Sequence, residues 1–212
     1  MSTTARRGRR PGSPDTRAAI LAAARELFAA SGYGGTSIRA IAAAAGVDAA
    51  LVHHYFGAKD DLFVAALELP VDPRAALAPA IAQGPEGAAE RMLGVFLSIW
   101  DNPENRLPLL ALARGMFEPD GQRLLRDGFL PAVLAPIGVA LGLDHPEVRM
   151  PLLASQMLGL IVVRYVLEIE PVASLPAEQV VAIYAPSLQH YLTGPLPTPV
   201  HRPASSAQFI TW

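Results

Sequence analysis

The adjacent pair His53-His54 and Lys59, the only lysine in the chain, are the side chains that offer the most chemistry. A histidine pair suggests a metal. Neighbouring residues on a helix point about 100° apart, however, and do not converge on one ion. The chain has no Cys and no His-x-x-x-His spacing, so no metal and no other cofactor is expected. No Ser/His/Asp or Cys/His arrangement and no phosphate-cradling glycine loop stands out, which argues against an enzyme. Cationic chemistry is left. Arg6, Arg7, Arg9 and Arg10 flank Gly8 in a basic run. Residues 1–60 hold 8 basic against 4 acidic residues, or +4, which leaves 9 against 15, or −6, to the rest. A basic head on an acidic body fits a polyanionic partner, although a chance distribution gives the same sums.

These residues need elements to hold them. Strand signals are scarce and apolar residues recur at helical spacing, so an all-α chain is expected. Residues 1–13 read as a flexible basic arm. A first helix from about Asp15 to Ala30 puts Ile20, Leu21, Ala24, Leu27 and Phe28 on one face, and Ser31-Gly32 stops it. Thr36 or Ser37 can cap a second helix over 38–45, and Gly46 supplies the positive φ of a tight turn. Asp48 caps a third helix reaching about Tyr55. Gly57 separates it from a fourth, which begins near Ala58 and carries Leu62, Phe63, Ala66 and Leu67 on its buried side. Two short helices across a tight turn, packed on a third, are the plan of a helix-turn-helix. The expected organisation is an arm at 1–13, a helix-turn-helix domain at 14–68, a helical domain at 69–194 and a disordered tail at 195–212. Helices in the second domain are expected at 72–83, 86–101, 104–117, 120–142, 146–169 and 176–193.

The stretch TSIRAIAAAAGVDAALVHHYFGAKDDLF resembles the TetR family of bacterial repressors. So do RGRRPG before the first helix and FAASGYGGTSI after it. Together they cover roughly residues 9–65. LLASQMLGLIVVRYVLEIEP more loosely resembles one actinobacterial subgroup of C-terminal domains. The resemblance implies an all-helical homodimer that binds a partly palindromic operator on double-stranded DNA. It also implies an unidentified small ligand, bound in the C-terminal domain, that releases it. It places Thr36 and Ser37 where hydroxyls and helix-start N–H groups hold a phosphate. Arg39 would reach a base edge or the backbone, and Ala49, Ala50 and Leu51 would begin the recognition helix. Tyr55 and Lys59 match backbone contacts, Lys59 otherwise reading as an exposed helix-start residue. His53 replaces the family's usual phosphate-binding tyrosine, which would make that contact pH-dependent. The two alanines offer bases only a methyl contact, so base reading would lean on Arg39, His53, His54 and DNA shape. Asp48 is read as a cap rather than a base contact. Beside this motif, Arg9 and Arg10 read as part of a minor-groove or phosphate arm rather than a solvated run.

In the body, Met92, Phe96, Trp100, Met116, Phe117, Phe129 and Met157 are either pocket lining or plain core. Arg114 and Arg164 lie in apolar surroundings and would meet an acidic ligand, unless Arg164 pairs with Glu168. A dimer interface is expected on the last two helices. Ser155 and Gly159 would allow close approach, with Leu152, Val163, Val166, Val180, Ile183, Tyr184, Leu188 and Tyr191 around them; an internal core is the alternative.

Arg9-Arg10 precedes an apolar stretch, but Asp15, Arg17, Arg25 and Glu26 interrupt it, unlike a secretory signal. Leu152–Val163 holds Gln156 and ends at Arg164, short of the roughly 20 residues a bilayer needs. A soluble, cytoplasmic protein without a membrane partner is expected. Its first reading is a ligand-released repressor. The alternatives are an activator or nucleoid-type binder without a ligand, and a small helical enzyme.

Overall fold

The structure, a computed structural model, describes residues 14–197, and among these every regular element is helical. The expected arm with Arg9 and Arg10, and residues 198–212 of the expected tail, lie outside the described residues.

Helices α1 (Pro14–Gly35), α2 (Ile38–Ala44), α3 (Ala49–Phe56) and α4 (Lys59–Ala66) form the head. Ile20, Leu21, Ala24 and Phe28 of α1 are all buried, the outcome of their 3.6-residue spacing. α1 outlasts its expected end at Ala30. Gly32 leaves helical geometry at φ 68°, and a last turn follows to Gly35. Ser37 caps α2 by accepting from the Ala40 N–H at 3.1 Å, and Asp48 caps α3 by accepting from Ala50 at 2.7 Å. Gly46, at φ 66°, makes the turn between them.

The body holds α5 (Pro73–Ile81), α6 (Ala88–Trp100), α7 (Pro103–Gly115), α8 (Pro119–Leu124), α9 (Ala135–Ala140), α10 (Pro146–Ile161) and α11 (Ala177–Thr193). The single helix expected at 120–142 is continuous but irregular. Between α8 and α9, residues Leu125–Leu134 widen into π-helical turns, in which the Ala135 N–H bonds to the Leu130 carbonyl. Pro131 lies inside this stretch. It has no N–H, and its ring excludes the carbonyl one α-turn back, so regular α geometry fails there. α10 widens in the same way over Val162–Val166 and ends there, before the expected 169.

Residues Pro146–Val166 make a run of 21 that is apolar enough to span a membrane by length and composition. Two arginines within it are buried and hydrogen-bonded to other parts of the chain. Arg149 donates to both Asp144 carboxylate oxygens (2.8 and 3.0 Å) and to the carbonyls of Tyr191 and Gly194, tying the start of α10 to the end of α11. Arg164 donates to the carbonyls of Val172 and Leu175 at 2.7 and 2.8 Å and faces Asp101. Tyr165 donates to the same Asp101 at 2.9 Å. Burial and Asp101 push the Tyr165 hydroxyl well above its ordinary range, so it remains a donor.

Head and body meet where α1 and α4 lie on α8 and the π-helical segment. Phe63 of α4 is fully buried there, edge-on to Phe28 and Tyr33 with centroids 5.1 and 5.3 Å away. Its ring rests on Gly128, where a Cβ would lie 2.3 Å from the ring. Only glycine leaves room for that contact. Gly128→Ala is expected to destabilise the fold by about 1–3 kcal/mol through overpacking. In thermal melts, Gly94→Ala is the control. A Cβ at Gly94 meets nothing within 4 Å, so helix propensity should raise its Tm. A melt of Gly128→Ala equal to that of Gly94→Ala would refute the seat.

Candidate nucleic-acid interface and internal cavity

α2 and α3 bury Ile41, Ala42, Val52 and Phe56 against the rest of the head and leave Ser37, Arg39, Asp48, Ala50, His53 and His54 exposed. Ala49, Leu51 and Lys59 are half-buried. The expected surface set is thus largely brought together, with two corrections. Thr36 is only 3% exposed, and its Oγ1 lies 2.8 and 3.0 Å from the carbonyls of Gly32 and Leu27. Its hydroxyl closes the corner between α1 and α2 and is not free for a phosphate. Tyr55 turns its hydroxyl inward, where it is buried without a partner among the described residues. Its ring packs against the core and leaves no backbone contact to make.

The remaining polar groups have defined states. Asp48 caps α3, as its acidic character predicts. The Nδ1 of His53 lies 2.9 Å from the Gly57 carbonyl, which can only accept, so Nδ1 carries the proton. In the neutral ring Nε2 is then a bare acceptor, and only the imidazolium offers it as a donor. Lys59 donates to the Tyr33 carbonyl at 2.5 Å and sits 4.1 Å from the centre of that ring. Burial lowers its pKa. Tyr33 in turn donates to Asp60. One basic residue escaped sequence reasoning. The exposed Arg17 lies with its guanidinium 5.0 Å from the ring centre of Phe56 at the end of α3. No sequence spacing links positions so far apart; its charge was the only signal.

A cavity of about 530 Å³ lies in the body. Met92, Phe96, Trp100, Met116, Phe129 and Met157 are among the residues that line it, one of the two alternatives their types and spacing left open. So are Leu67 and Leu69, which directly follow α4. Three expected residues are not. Leu109 and Ala113 take the inward face of α7, so Arg114 is exposed, and Phe117 is 59% exposed beyond the helix end. Arg164 is buried but spent on Val172, Leu175 and Asp101, and Glu168, its other expected partner, pairs with Arg106 at 3.1 Å. The ionisable residues in the lining are Glu118 and Asp120 alone, and Asp120 is paired with Arg123. Sequence reading looked for charge inside helices and missed these two near the start of α8.

The residues expected at a dimer interface divide. Val180 and Leu188 are inside the chain's own core, where α11 packs on α6, and Leu188 also lines the cavity. They face inward because they sit two turns apart on the buried side of α11. Ser155, Gly159 and Ile183 are exposed, while Leu152, Val163, Val166, Tyr184 and Tyr191 are half-buried.

Comparison with known proteins matches this layout. Residues 20–66 match the model of bacterial regulatory proteins of the TetR family, and residues 86–192 match that of the tetracyclin repressor-like C-terminal domain. A TetR-family regulator from Streptomyces coelicolor A3 is 37% identical, with 87% of this chain and 98% of that one covered and a TM-score of 0.47. A TetR-family transcriptional regulator from Streptomyces coelicolor is 27% identical over 84% of this chain and 80% of that one, with a TM-score of 0.39. The repressor FadR from Thermus thermophilus, in complex with lauroyl-CoA, is 20% identical over 91% and 100%, with a TM-score of 0.44. No curated protein matches. A helix-turn-helix head, a helical C-terminal domain matched over most of its length and a close relative spanned almost end to end show that this chain belongs to the TetR family of bacterial transcriptional regulators.

Proposed function

We propose that the chain is a repressor: a homodimer whose two heads read an inverted-repeat operator and whose cavity takes a small molecule that releases it. The observation that carries this reading is that α4 serves both sites. It starts at Lys59, three residues past the end of α3, and runs into Leu67, which lines the cavity. Its middle is held by Phe63 on Gly128, and the next residue of that segment, Phe129, also lines the cavity. A molecule that fits better when this wall shifts would carry α4 with it. Two heads held in one dimer must match the spacing of the major groove, so a small tilt misplaces both.

In this reading Ser37, Arg39, Ala49, Ala50, Leu51, His53, His54 and Lys59 meet DNA, and Arg17 joins them. Arg9 and Arg10 extend the contact as an arm. The side chains of Thr36 and Tyr55 are left out, because one is hydrogen-bonded in the corner and the other buried. Ser155, Gly159 and Ile183 are the exposed part of the face offered to a second copy.

DNA fragments selected by the purified protein are expected to share an inverted repeat whose half-sites lie about one helical turn, or a multiple, apart. Operator affinity should fall with salt at a log–log slope of about −0.9 per phosphate contacted. A footprint without symmetry would refute the dimer, and a flat salt response would refute the phosphate contacts.

The contacts follow different rules. Lys59→Ala is expected to weaken all sequences alike and reduce the salt slope by about one. Arg39→Ala is expected to relax preference at a base position. His53→Ala is expected to weaken operator binding, read by fluorescence anisotropy, because the exposed ring stands on the recognition helix. An unchanged affinity would remove His53 from the DNA contacts.

A further inference from the structure

We infer that the molecule taken by the cavity is a hydrophobic cation, with an apolar body inside and a protonated amine or quaternary ammonium held at Glu118. This rests on reading the cavity as the effector site.

At about 530 Å³ the cavity has room for a drug-sized molecule. Aliphatic and aromatic side chains form nearly all of its wall, so the body of the ligand is apolar. The sign of any charge follows from what the wall lacks and what it holds. No Arg, Lys or His lines it. A carboxylate or phosphate would shed water there and meet no cation in exchange. Of the two acidic residues in the lining, Asp120 is offset by Arg123, whereas Glu118 makes no ion pair among the described residues. Arg114, one turn upstream, is exposed and not within ion-pair distance of it. Glu118 is itself exposed, so a cationic head placed beside it stays partly hydrated while the apolar body is buried. That arrangement gains Coulomb attraction at little desolvation cost. Two further features favour the same sign. The chain beyond residue 60 carries a net −6, which raises the local concentration of cations. Phe96, Trp100 and Phe129 supply aromatic rings to the wall, and ring faces attract cations.

The test is calorimetric titration of the full chain with three probes, each with a ten-carbon chain: decyltrimethylammonium, decanol and decanoate, all below micelle formation. The ammonium is expected to bind about tenfold more tightly than the carboxylate, with the alcohol between them. Glu118→Gln should shrink that ratio to about twofold, and Met157→Trp, which puts a larger ring into the cavity wall, should weaken binding of all three. Decanoate binding as tightly as the ammonium, or a preference that survives Glu118→Gln, would overturn the inference. So would the absence of binding by any probe, or binding that Met157→Trp leaves unchanged. Operator release, measured separately, keeps the two readings apart. Probes that all bind alike and release the operator would sink the charge assignment and leave the effector site standing. A Glu118-dependent cation that leaves operator affinity unchanged would sink the effector site and leave the ligand class standing.

Discussion

Phe63 rests where a neighbouring residue has no side chain, and that contact sets how the head sits on the body. Gly128 belongs to a stretch that Pro131 forces out of regular α geometry, and α4 reaches it through a ring already wedged between Phe28 and Tyr33. Close-packed aromatic contacts of this kind deform poorly and tend to have discrete arrangements. In the proposed mechanism, movement of the segment would be passed to α4 rather than absorbed. α4 is 8 residues long, so at about 1.5 Å per residue its two ends lie about 12 Å apart. One end is Lys59, packed on the ring of Tyr33, and the other continues into the cavity wall at Leu67.

The rest of the body is a frame against which such movement can be measured. Arg149 binds the beginning of α10 to the end of α11, and Arg164 with Tyr165 binds its other end to Asp101 after α6. These buried charges have their hydrogen-bond partners supplied largely by backbone carbonyls, which is what makes burial tolerable. They hold the exposed surface of α10 and α11 in place. The side of the cavity formed by α7, α8 and the π-helical turns of Leu125–Leu134, where Glu118 also lies, carries neither of these two buried arginines.

Much of the head was legible in the sequence because its signals are local. Caps at Ser37 and Asp48, the turn at Gly46 and the spacing of Ile20, Ala24 and Phe28 each act within a few residues. What was not legible depends on partners far apart in the chain. Thr36 has the right type for a phosphate contact, and only the path of α1 past Gly32 turns its hydroxyl inward. Tyr55 is withdrawn by the packing of its ring. Arg164 was rightly marked as a charge in apolar surroundings, but its partners at Asp101, Val172 and Leu175 come from loops whose course no periodicity predicts. Helical spacing likewise identified Val180 and Leu188 as buried without telling an internal core from a subunit interface. The Met and aromatic residues were recognisable as a group, and six of the seven line the cavity. The seventh, Phe117, lies just past the end of α7, where helical spacing no longer applies.

Coupling between cavity and operator is a free-energy difference, and it is reciprocal. The most direct measurement titrates decyltrimethylammonium into the full chain with and without bound operator, and titrates operator with and without the probe. The account predicts that each weakens the other by one and the same factor, on the order of 5- to 150-fold. A probe that occupies the cavity with equal affinity in the presence and absence of operator would contradict it.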